Sequence, residues 1–445
     1  MTAWNLITDL GFICLLLLAG ALLRAKVRVI QALFLPASLI AGILGLALGP
    51  NGLGVIPFSE ALGDYAGILI AVVFAALPFT SQLTSFAQAA KNVVTTWAVS
   101  QSVVALQWGL VLLFSLAVIA LIFSDIPDGF GLMMAAGFMG GHGTAAAITE
   151  VYGDQWAEAQ SLGMTAATVG IIVSVLGGIL LIKLESQRGG TAYLRSFADL
   201  PPQLRTGIVE PNQRTAVGEG PVSTMSIDPL IYHAGLVLGV AGVSVLAADA
   251  LSGLGPGISV PTFSVAFLAG FAVLGLLRST GAMRHFDRRL FERTSSSSTD
   301  LLVAFGIASI NPAVVVAYAA PLALLLAFGV AFILCFYALI AKRLFTDHPV
   351  EQSLFLWGWN TGTVAMGIAL LRVVDPDMRS KTLDYYGIAY VPIGFVDIAI
   401  IALLPMLVMA GMAWPAALVL TAAGAALLVG ARLTVARPRT AAPIT

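Results

Sequence analysis

Long apolar stretches, separated by short polar ones, run along almost the whole chain. A helix that crosses a membrane needs roughly 20 predominantly apolar residues, and eleven stretches approach or exceed that length. They fall near residues 5–23, 33–49, 63–79, 95–122, 162–182, 230–249, 262–277, 298–310, 317–341, 386–409 and 414–431. Each is continuous and rich in Leu, Ala and Gly, whereas strands of a membrane barrel would alternate in polarity. The pattern predicts an all-α polytopic membrane protein.

Two further apolar stretches, near 130–149 and 352–371, are each interrupted by a short polar sequence. The interruptions are Gly140-Gly141-His142-Gly143-Thr144 and Asn360-Thr361-Gly362-Thr363. They lie about half the chain length apart, and paired, glycine-broken segments at corresponding places in two halves point to the binding site of a secondary transporter. We therefore predict one re-entrant segment in each half.

The distribution of charge predicts which side of the membrane each loop occupies. Only 10% of the residues are charged, against about 25% in a typical soluble domain. When the chain is threaded through the predicted spans, all 22 Lys and Arg residues fall on one side. Cytoplasmic loops carry an excess of Lys and Arg, so the N-terminus is predicted outside and the C-terminus in the cytoplasm. No basic patch suits nucleic acid.

The spans divide into two similar halves. Each half has five predicted spans, and this odd number makes the halves enter the membrane in opposite directions, as in inverted repeats related by a two-fold axis in the membrane plane. We predict a first inverted repeat over 1–182, a cytoplasmic linker over 183–229 and a second inverted repeat over 230–410. An extra transmembrane helix and a cytoplasmic tail follow over 411–445.

The polar interruptions carry groups that an anion and a cation would need. A helix broken inside the membrane frees carbonyl oxygens that suit Na⁺, and it starts a half-helix whose N–H groups and dipole suit a carboxylate. The predicted substrate-binding residues are Gly141, His142, Gly143, Thr144, Thr361, Gly362 and Thr363. The predicted Na⁺-binding residues are Asn360, Thr363 and Asp397. The alternative interpretation is that these glycines only allow helices to pack closely.

Two titratable residues inside the apolar stretches have more than one possible role. Asp397 lies well inside a predicted span, where an ionised carboxylate costs roughly 3 kcal/mol or more, so it is a functional candidate. It could bind Na⁺, pair with a substrate ammonium group or titrate with H⁺; alternatively, it pairs with a structural donor. His142 could bond to the substrate, relay a proton or hold a neighbouring loop.

At these segments the chain resembles the glutamate:sodium symporter family of bacteria. The resemblance is carried by Gly140 to Ala146, Pro261-Thr262-Phe263, the span around Gly170 and Val391 to Asp397. It implies ten spans in two inverted repeats, a homodimer in the bacterial inner membrane, and inward transport of L-glutamate with Na⁺. An elevator-like motion of a transport domain against a dimeric scaffold is likewise implied by the resemblance.

Two features depart from the family pattern. The second re-entrant segment has fewer glycines and carries Trp357 and Trp359 instead, and the span near 414–431 is additional. The first departure leaves open a Na⁺- or H⁺-coupled carrier of another organic acid; an ion channel is a less favoured alternative.

No local set of nucleophile, base and oxyanion donors indicates an enzyme. No cofactor is expected beyond Na⁺ as the coupling ion, and the expected partners are a small carboxylate, Na⁺, membrane lipid and a second copy of the chain.

Overall fold

The computed structural model describes residues 3–32, 35–80, 91–193, 206–214, 216–252, 260–375 and 378–435. Within these ranges the chain forms helices joined by turns, with no strand. Residues 194–205 and 215 of the predicted linker, and residues 436–445 of the predicted tail, lie outside the described residues.

The helices follow the predicted order of spans. In the first half they are α1 (Ala3–Lys26), α2 (Arg28–Ala32), α3 (Ala37–Leu48), α4 (Asp64–Thr80), α5 (Lys91–Phe114), α6 (Ala120–Ile122), α7 (Phe130–Ala135), α8 (Gly141–Tyr152) and α9 (Ala159–Gln187). In the second half they are α10 (Pro229–Ser252), α11 (Thr262–Ser279), α12 (Arg288–Ala308), α13 (Pro312–Ala317), α14 (Ala319–Cys335), α15 (Lys342–Leu344), α16 (Pro349–Thr361), α17 (Val364–Val374), α18 (Thr382–Met409) and α19 (Ala413–Val435). Three π-helical segments, Ser115–Ile119, Ala136–Gly140 and Phe336–Ala341, continue α5, α7 and α14.

Nine helical stretches in the described part of the chain are long and apolar enough to cross a membrane, as a multi-pass membrane protein requires. The two remaining predicted spans correspond to α3, which has 12 residues, and to α12. The span predicted at 298–310 is the second half of α12, which begins at Arg288. Asp287 caps this helix by accepting a hydrogen bond from the backbone N–H of Arg289 at 2.9 Å. Because the first turns of α12 are charged, the hydropathy pattern did not show that the helix begins at Arg288.

The long helices pack into two bundles. The support bundle consists of α1, α3, α4, α10, α11 and α12, and α4 packs extensively on both α11 and α12. The hairpin bundle consists of α5, α7, α8, α9, α14, α16, α17, α18 and α19. Each half of the chain therefore places its first three spans in the support bundle and its later elements in the hairpin bundle. The largest apolar core lies mainly within the hairpin bundle.

Hydrogen bonds join the two bundles at one end. Gln160 of α9 donates from Nε2 to the carbonyl of Gly63 at 2.8 Å and to Oγ of Ser309 at 3.3 Å. The backbone N–H of Thr262 donates to Oε1 of Glu150 on α8 at 3.2 Å. All five residues lie at helix ends that the charge pattern places outside, so the bundles are fastened together at the predicted outer end.

A cavity of ≈ 700 Å³ lies at this same end, between the bundles. Its lining includes Asp64 and Gly67 of α4, Ala146 and Glu150 of α8, and Gly242 of α10. The volume falls within the range of small-molecule pockets. Its described lining runs along the outer part of α8 and stops short of the polar break at which that helix begins.

Candidate substrate and ion site

The first polar interruption forms the tip of a helical hairpin. The chain runs through α7 and a π-helical turn to Gly140, reverses, and returns through α8. Gly129, just before α7, contacts the Tyr152 hydroxyl at the end of α8, so both ends of this first hairpin lie together. At the tip, Gly141 has φ 64° and ψ −154°, a conformation that is open essentially to glycine alone. The requirement for glycine at this break is therefore conformational.

The second interruption forms the tip of another hairpin, made by α16 and α17. Thr363 begins α17 as its N-cap, and its hydroxyl accepts a long hydrogen bond of 3.4 Å from the backbone N–H of Met366. The two arms pack closely where Gly358 faces Gly367, because a Cβ on Gly358 would lie 2.6 Å from the Gly367 Cα. This second hairpin turns with a side-chain cap and without a residue at positive φ.

The two tips meet. A Cβ placed on Gly141 would lie 2.9 Å from Cγ2 of Thr363 and 3.4 Å from the carbonyl oxygen of Gly362. The first turns of α8 and α17 therefore start beside each other. The first four N–H groups of any helix lack partners within that helix, and the dipole adds partial positive charge there. The structure thus concentrates two sources of positive potential at one place in an apolar bundle.

Both hairpin tips pack against helix α9. A Cβ on Gly170 would lie 2.6 Å from the Thr361 carbonyl oxygen and 3.4 Å from the Gly137 carbonyl oxygen, so carbonyls from both hairpins converge on this glycine. One turn further on, the Ser174 hydroxyl donates to the Gly358 carbonyl at 3.1 Å. The Trp357 indole N–H donates in turn to the Ser174 carbonyl at 3.1 Å. Small residues on α9 therefore allow the two hairpins to approach one another.

Four of the predicted substrate residues, Gly141 to Thr144, lie in the first turn of α8. His142 is buried, and its Nε2 lies 3.0 Å from Oγ1 of Thr168 on α9. Because the Thr168 hydroxyl already donates to the Met164 carbonyl at 2.9 Å, it accepts from His142, which therefore carries its proton on Nε2. His142 is held in one orientation by this bond. The contact is with helix α9, and substrate binding, proton relay and support of a neighbouring loop stay predictions for His142.

Gly143 and Thr144 face different neighbours. A Cβ on Gly143 would lie 3.2 Å from Cδ1 of Ile70, so Gly143 faces the support bundle. The Thr144 side chain packs back against Gly140 and closes the tip of its own hairpin.

Asn360 and Thr361 end α16 and direct much of their hydrogen bonding to their own helix. Asn360 Nδ2 donates to the Leu356 carbonyl at 2.9 Å, and the Thr361 hydroxyl donates to the Trp357 carbonyl at 2.7 Å. Asn360 Oδ1 is buried and, among the described residues, has no hydrogen-bond partner. A buried oxygen with no donor is expected to bind water or an ion, so it remains available to a cation.

Gln107 of α5 is a neighbour of this tip that the sequence did not single out. Its Nε2 donates to the Asn360 carbonyl at 3.2 Å. Its Oε1 is buried and also lacks a partner within the described ranges. A buried glutamine in the middle of an apolar span was the available signal, since an amide in that setting needs a partner. Ser174 on α9 carries the same signal, a buried polar side chain within an apolar span, and was not singled out from the sequence either.

Asp397 lies on α18, and the described residues do not bring it into hydrogen-bond contact with either tip. Its Oδ1 is buried without a partner in the described part of the chain. Tyr386 and Tyr390 precede it on the same helix. The Trp359 ring lies 5.0 Å from the Tyr386 ring and 6.2 Å from the Tyr390 ring. Trp359 of the second hairpin therefore packs against aromatic side chains of the helix that carries Asp397.

The described residues contain no group of three His, Cys, Asp or Glu side chains that could hold a metal ion. A cation at the two tips would therefore be bound chiefly by carbonyl, hydroxyl and amide oxygens. Hard cations accept such oxygen ligands. The donor set at the tips therefore suits a weakly held ion.

Comparison with known proteins identifies a family. The model of the family described as sodium/glutamate symporter matches residues 3–348. No curated protein matches the chain. The matched part includes the first hairpin and α9, whereas the second hairpin, α18 and α19 follow its last residue. The resemblance predicted from the sequence is confirmed for the matched residues.

Proposed function

The chain belongs to the sodium/glutamate symporter family, and from that premise we propose that it carries L-glutamate, or a closely related small carboxylate, into the cell together with Na⁺. The family is one of transporters and suggests Na⁺-coupled glutamate transport. The observation that carries the proposal for this chain is the meeting of Gly141 with Gly362 and Thr363. Two half-helices start there, within a multi-pass membrane protein.

The substrate carboxylate is proposed to bind between the starts of α8 and α17. Free N–H groups and the positive ends of two helix dipoles favour an anion at such a place. The proposed substrate site comprises Gly141, His142, Gly143, Thr144, Thr361, Gly362 and Thr363. His142, held by Thr168, and Thr144, packed on Gly140, support the shape of the first tip.

Na⁺ is proposed to bind beside the substrate, at oxygens of the second hairpin. Asn360 and Thr363 belong to this proposed ion site, which draws support from the unpartnered Asn360 Oδ1 and from the carbonyls that converge on Gly170. Asp397 is proposed as the charged member, acting from α18. A bound Na⁺ would raise the affinity for the anionic substrate, and by linkage the substrate would tighten Na⁺ binding by the same factor.

Two inverted repeats are proposed to build this site, with the predicted bounds 1–182 and 230–410 around a cytoplasmic linker over 183–229. The element order supports the proposal, because each half contributes three spans to the support bundle and then a span, a hairpin and a further span to the hairpin bundle. The fourth span of each half also ends in a π-helical segment, at 115–119 and 336–341. The hairpins would then be re-entrant from opposite faces of the inner membrane.

Transport is proposed to proceed by alternating access, with the hairpin bundle moving against the support bundle of a homodimer. Such a motion would have to break the outer-end bonds of Gln160 and Glu150. The N-terminus would lie outside and the C-terminus, with the extra helix over 411–445, would end in the cytoplasm. The cavity beside α8 is proposed as the outer approach to the tips.

Uptake of labelled L-glutamate into liposomes that contain the purified protein tests the proposal. An inward Na⁺ gradient should drive accumulation above equilibrium, choline replacement should abolish it, and unlabelled aspartate and citrate would rank the specificity. Failure to take up glutamate with the fold intact would overturn the glutamate assignment.

A carrier of another organic acid, or one driven by H⁺, is the second candidate. It is favoured by the position of Asn360 and Asp397 beyond residue 348, outside the part that the family matches. Uptake of a different acid, or uptake driven by a pH gradient without Na⁺, would select it. Ion flux without saturable exchange of labelled substrate would instead indicate a channel.

The role of Asp397 has its own test. Asp397→Asn keeps the shape of the side chain and removes its charge, so we expect a rise of at least about tenfold in the Na⁺ concentration for half-maximal uptake. Normal transport with unchanged Na⁺ dependence would remove Asp397 from the ion site.

A further inference from the structure

We infer that α19, the additional C-terminal helix, is a fixed member of the hairpin bundle that positions α5 and, through Gln107, the tip of the second hairpin. The inference goes beyond the proposed function, since it concerns how the site is held and does not depend on the substrate. It rests on two neighbouring faces of α5, one that packs on α19 and one that packs on α16.

The face of α5 toward α19 is built for close backbone contact. A Cβ on Gly109 would lie 2.5 Å from Oγ1 and 2.6 Å from the backbone N of Thr421. A Cβ on Gly424 would lie 2.6 Å from Cγ of Leu106 and 3.0 Å from the Ser102 carbonyl oxygen. Small residues on both partners let transmembrane helices approach and gain dispersion energy. Helices α5 and α19 therefore pack together in a defined axial register.

The buried positions of α19 lie along one side of the helix. Ala413, Ala417, Gly424 and Ala431 are buried, at spacings of four and seven residues. Residues at such spacings form one stripe along a helix. The remaining faces carry exposed apolar side chains such as Val419, which suit lipid. The small-residue stripe is thus turned to the protein, and the larger aliphatic residues are turned away from it.

The neighbouring face of α5 reaches the second hairpin. The Thr96 hydroxyl donates to Oε1 of Gln352 at 3.3 Å, near the start of α16. Gln107 Nε2 donates to the Asn360 carbonyl at 3.2 Å, at the tip. A displacement of α5 would therefore pull on both ends of α16. Because α19 fixes where α5 sits, it acts on the tip carbonyl through Gln107 as a positioning element.

The test is a double-mutant cycle in the full-length protein. Gly424→Val introduces a side chain against the backbone of α5, whereas Gly430→Val, on the same helix with nothing within 4 Å of its Cβ, is the matched control. We expect Gly424→Val to raise the substrate KM at least fivefold with kcat less affected, and Gly430→Val to change neither. In a Gln107→Leu background, Gly424→Val should add little, because its effect is transmitted by Gln107.

Independent, additive effects of Gly424→Val and Gln107→Leu on KM, or equal effects of the two valine variants, would overturn the inference. The same cycle is read on thermal unfolding of the purified protein, which needs no substrate. If the effects of the two substitutions on the unfolding temperature are coupled but the wild-type protein takes up no glutamate, the proposed function is contradicted and this inference stands.

Cross-linking tests whether α19 stays in place. In a background with Cys14→Ser and Cys335→Ser, which removes the two exposed free thiols, Leu106→Cys with Gly424→Cys should form a disulfide, and Leu106→Cys with Gly430→Cys should not. The cross-linked protein should transport as well as the same double-cysteine variant does after reduction, because α5 and α19 move together. Loss of transport that is restored by reducing agent would mean that α19 has to shift against α5, and would overturn the inference.

Discussion

The two hairpin tips end a helix inside the same bundle by different means. The first tip depends on the backbone, with Gly141 at φ 64° and His142 braced from α9. The second depends on side chains, with Thr363 as a cap and Asn360 beside Gln107. The first tip should therefore be sensitive to a Cβ added at Gly141, and the second to the loss of polar groups. Breaks that look equivalent along the chain need not be equivalent in mechanism.

The largest effect is expected at the first tip. Gly141→Ala requires a conformation that costs about 1–3 kcal/mol for a residue with a side chain, and it places a methyl 2.9 Å from Cγ2 of Thr363. We expect initial uptake to fall more than about tenfold, since 1.4 kcal/mol corresponds to a factor of ten. Gly143→Ala is the control, because its Cβ meets only Cδ1 of Ile70, at 3.2 Å. Equal losses in both variants would contradict a conformational role for Gly141.

The second-largest effect is expected at Gly170, where both tips pack on α9. Gly170→Ala places a methyl 2.6 Å from the Thr361 carbonyl oxygen, and a backbone atom cannot move aside as a flexible side chain can. We expect uptake to fall about tenfold, in line with the 1–3 kcal/mol cost of overpacking. Gly163→Ala on the same helix approaches side-chain atoms only, the nearest being Cβ of Ala145 at 3.3 Å, and should be milder. Initial uptake rates at equal amounts of folded protein measure the difference; a harmless Gly170→Ala would show that the tips do not rest on α9.

Removing a polar group from the second tip should reduce uptake less than the two glycine substitutions do. Thr363→Val removes the cap of α17, which is worth about 1 kcal/mol, so we expect a roughly fivefold fall in uptake. Thr363→Ser should retain most activity. Thr361→Val removes only a bond of 2.7 Å to the carbonyl of its own helix and should matter less. A Thr361→Val effect larger than that of Thr363→Val would reverse the roles assigned to these hydroxyls.

The brace on His142 is expected to have the smallest effect. Thr168→Val removes the hydroxyl that accepts from His142, and a typical hydrogen bond contributes about 0.5–1.5 kcal/mol, so uptake should fall a few-fold. Thr165→Val is matched to it, since Thr165 also donates to a carbonyl four residues earlier, at 2.6 Å. Uptake by both variants, compared with His142→Gln, measures how much of the role of His142 passes through Thr168. Equal uptake by Thr168→Val and Thr165→Val would argue against a role for the hydrogen bond between Thr168 and His142.

Much of the fold could be predicted because it is encoded locally. The apolar stretches gave the positions of the spans, and the glycines at 140, 141, 143 and 362 marked the breaks, since hydropathy and glycine content act over neighbouring residues. The start of α12 was misplaced because Arg288 to Arg293 make its first turns polar. Individual site residues were proposed by type and position alone.

Which residues meet was decided by tertiary structure. Gln107 and Asn360 are 253 positions apart in the chain, and no periodicity within α5 indicates which helix its amide will reach. Likewise, nothing in the sequence of α19 indicates that its partner is α5. Local hydrophobicity determines that a segment becomes a buried helix. Contacts between distant segments depend on how complete surfaces fit together, and that fit brought the two tips onto Gly170.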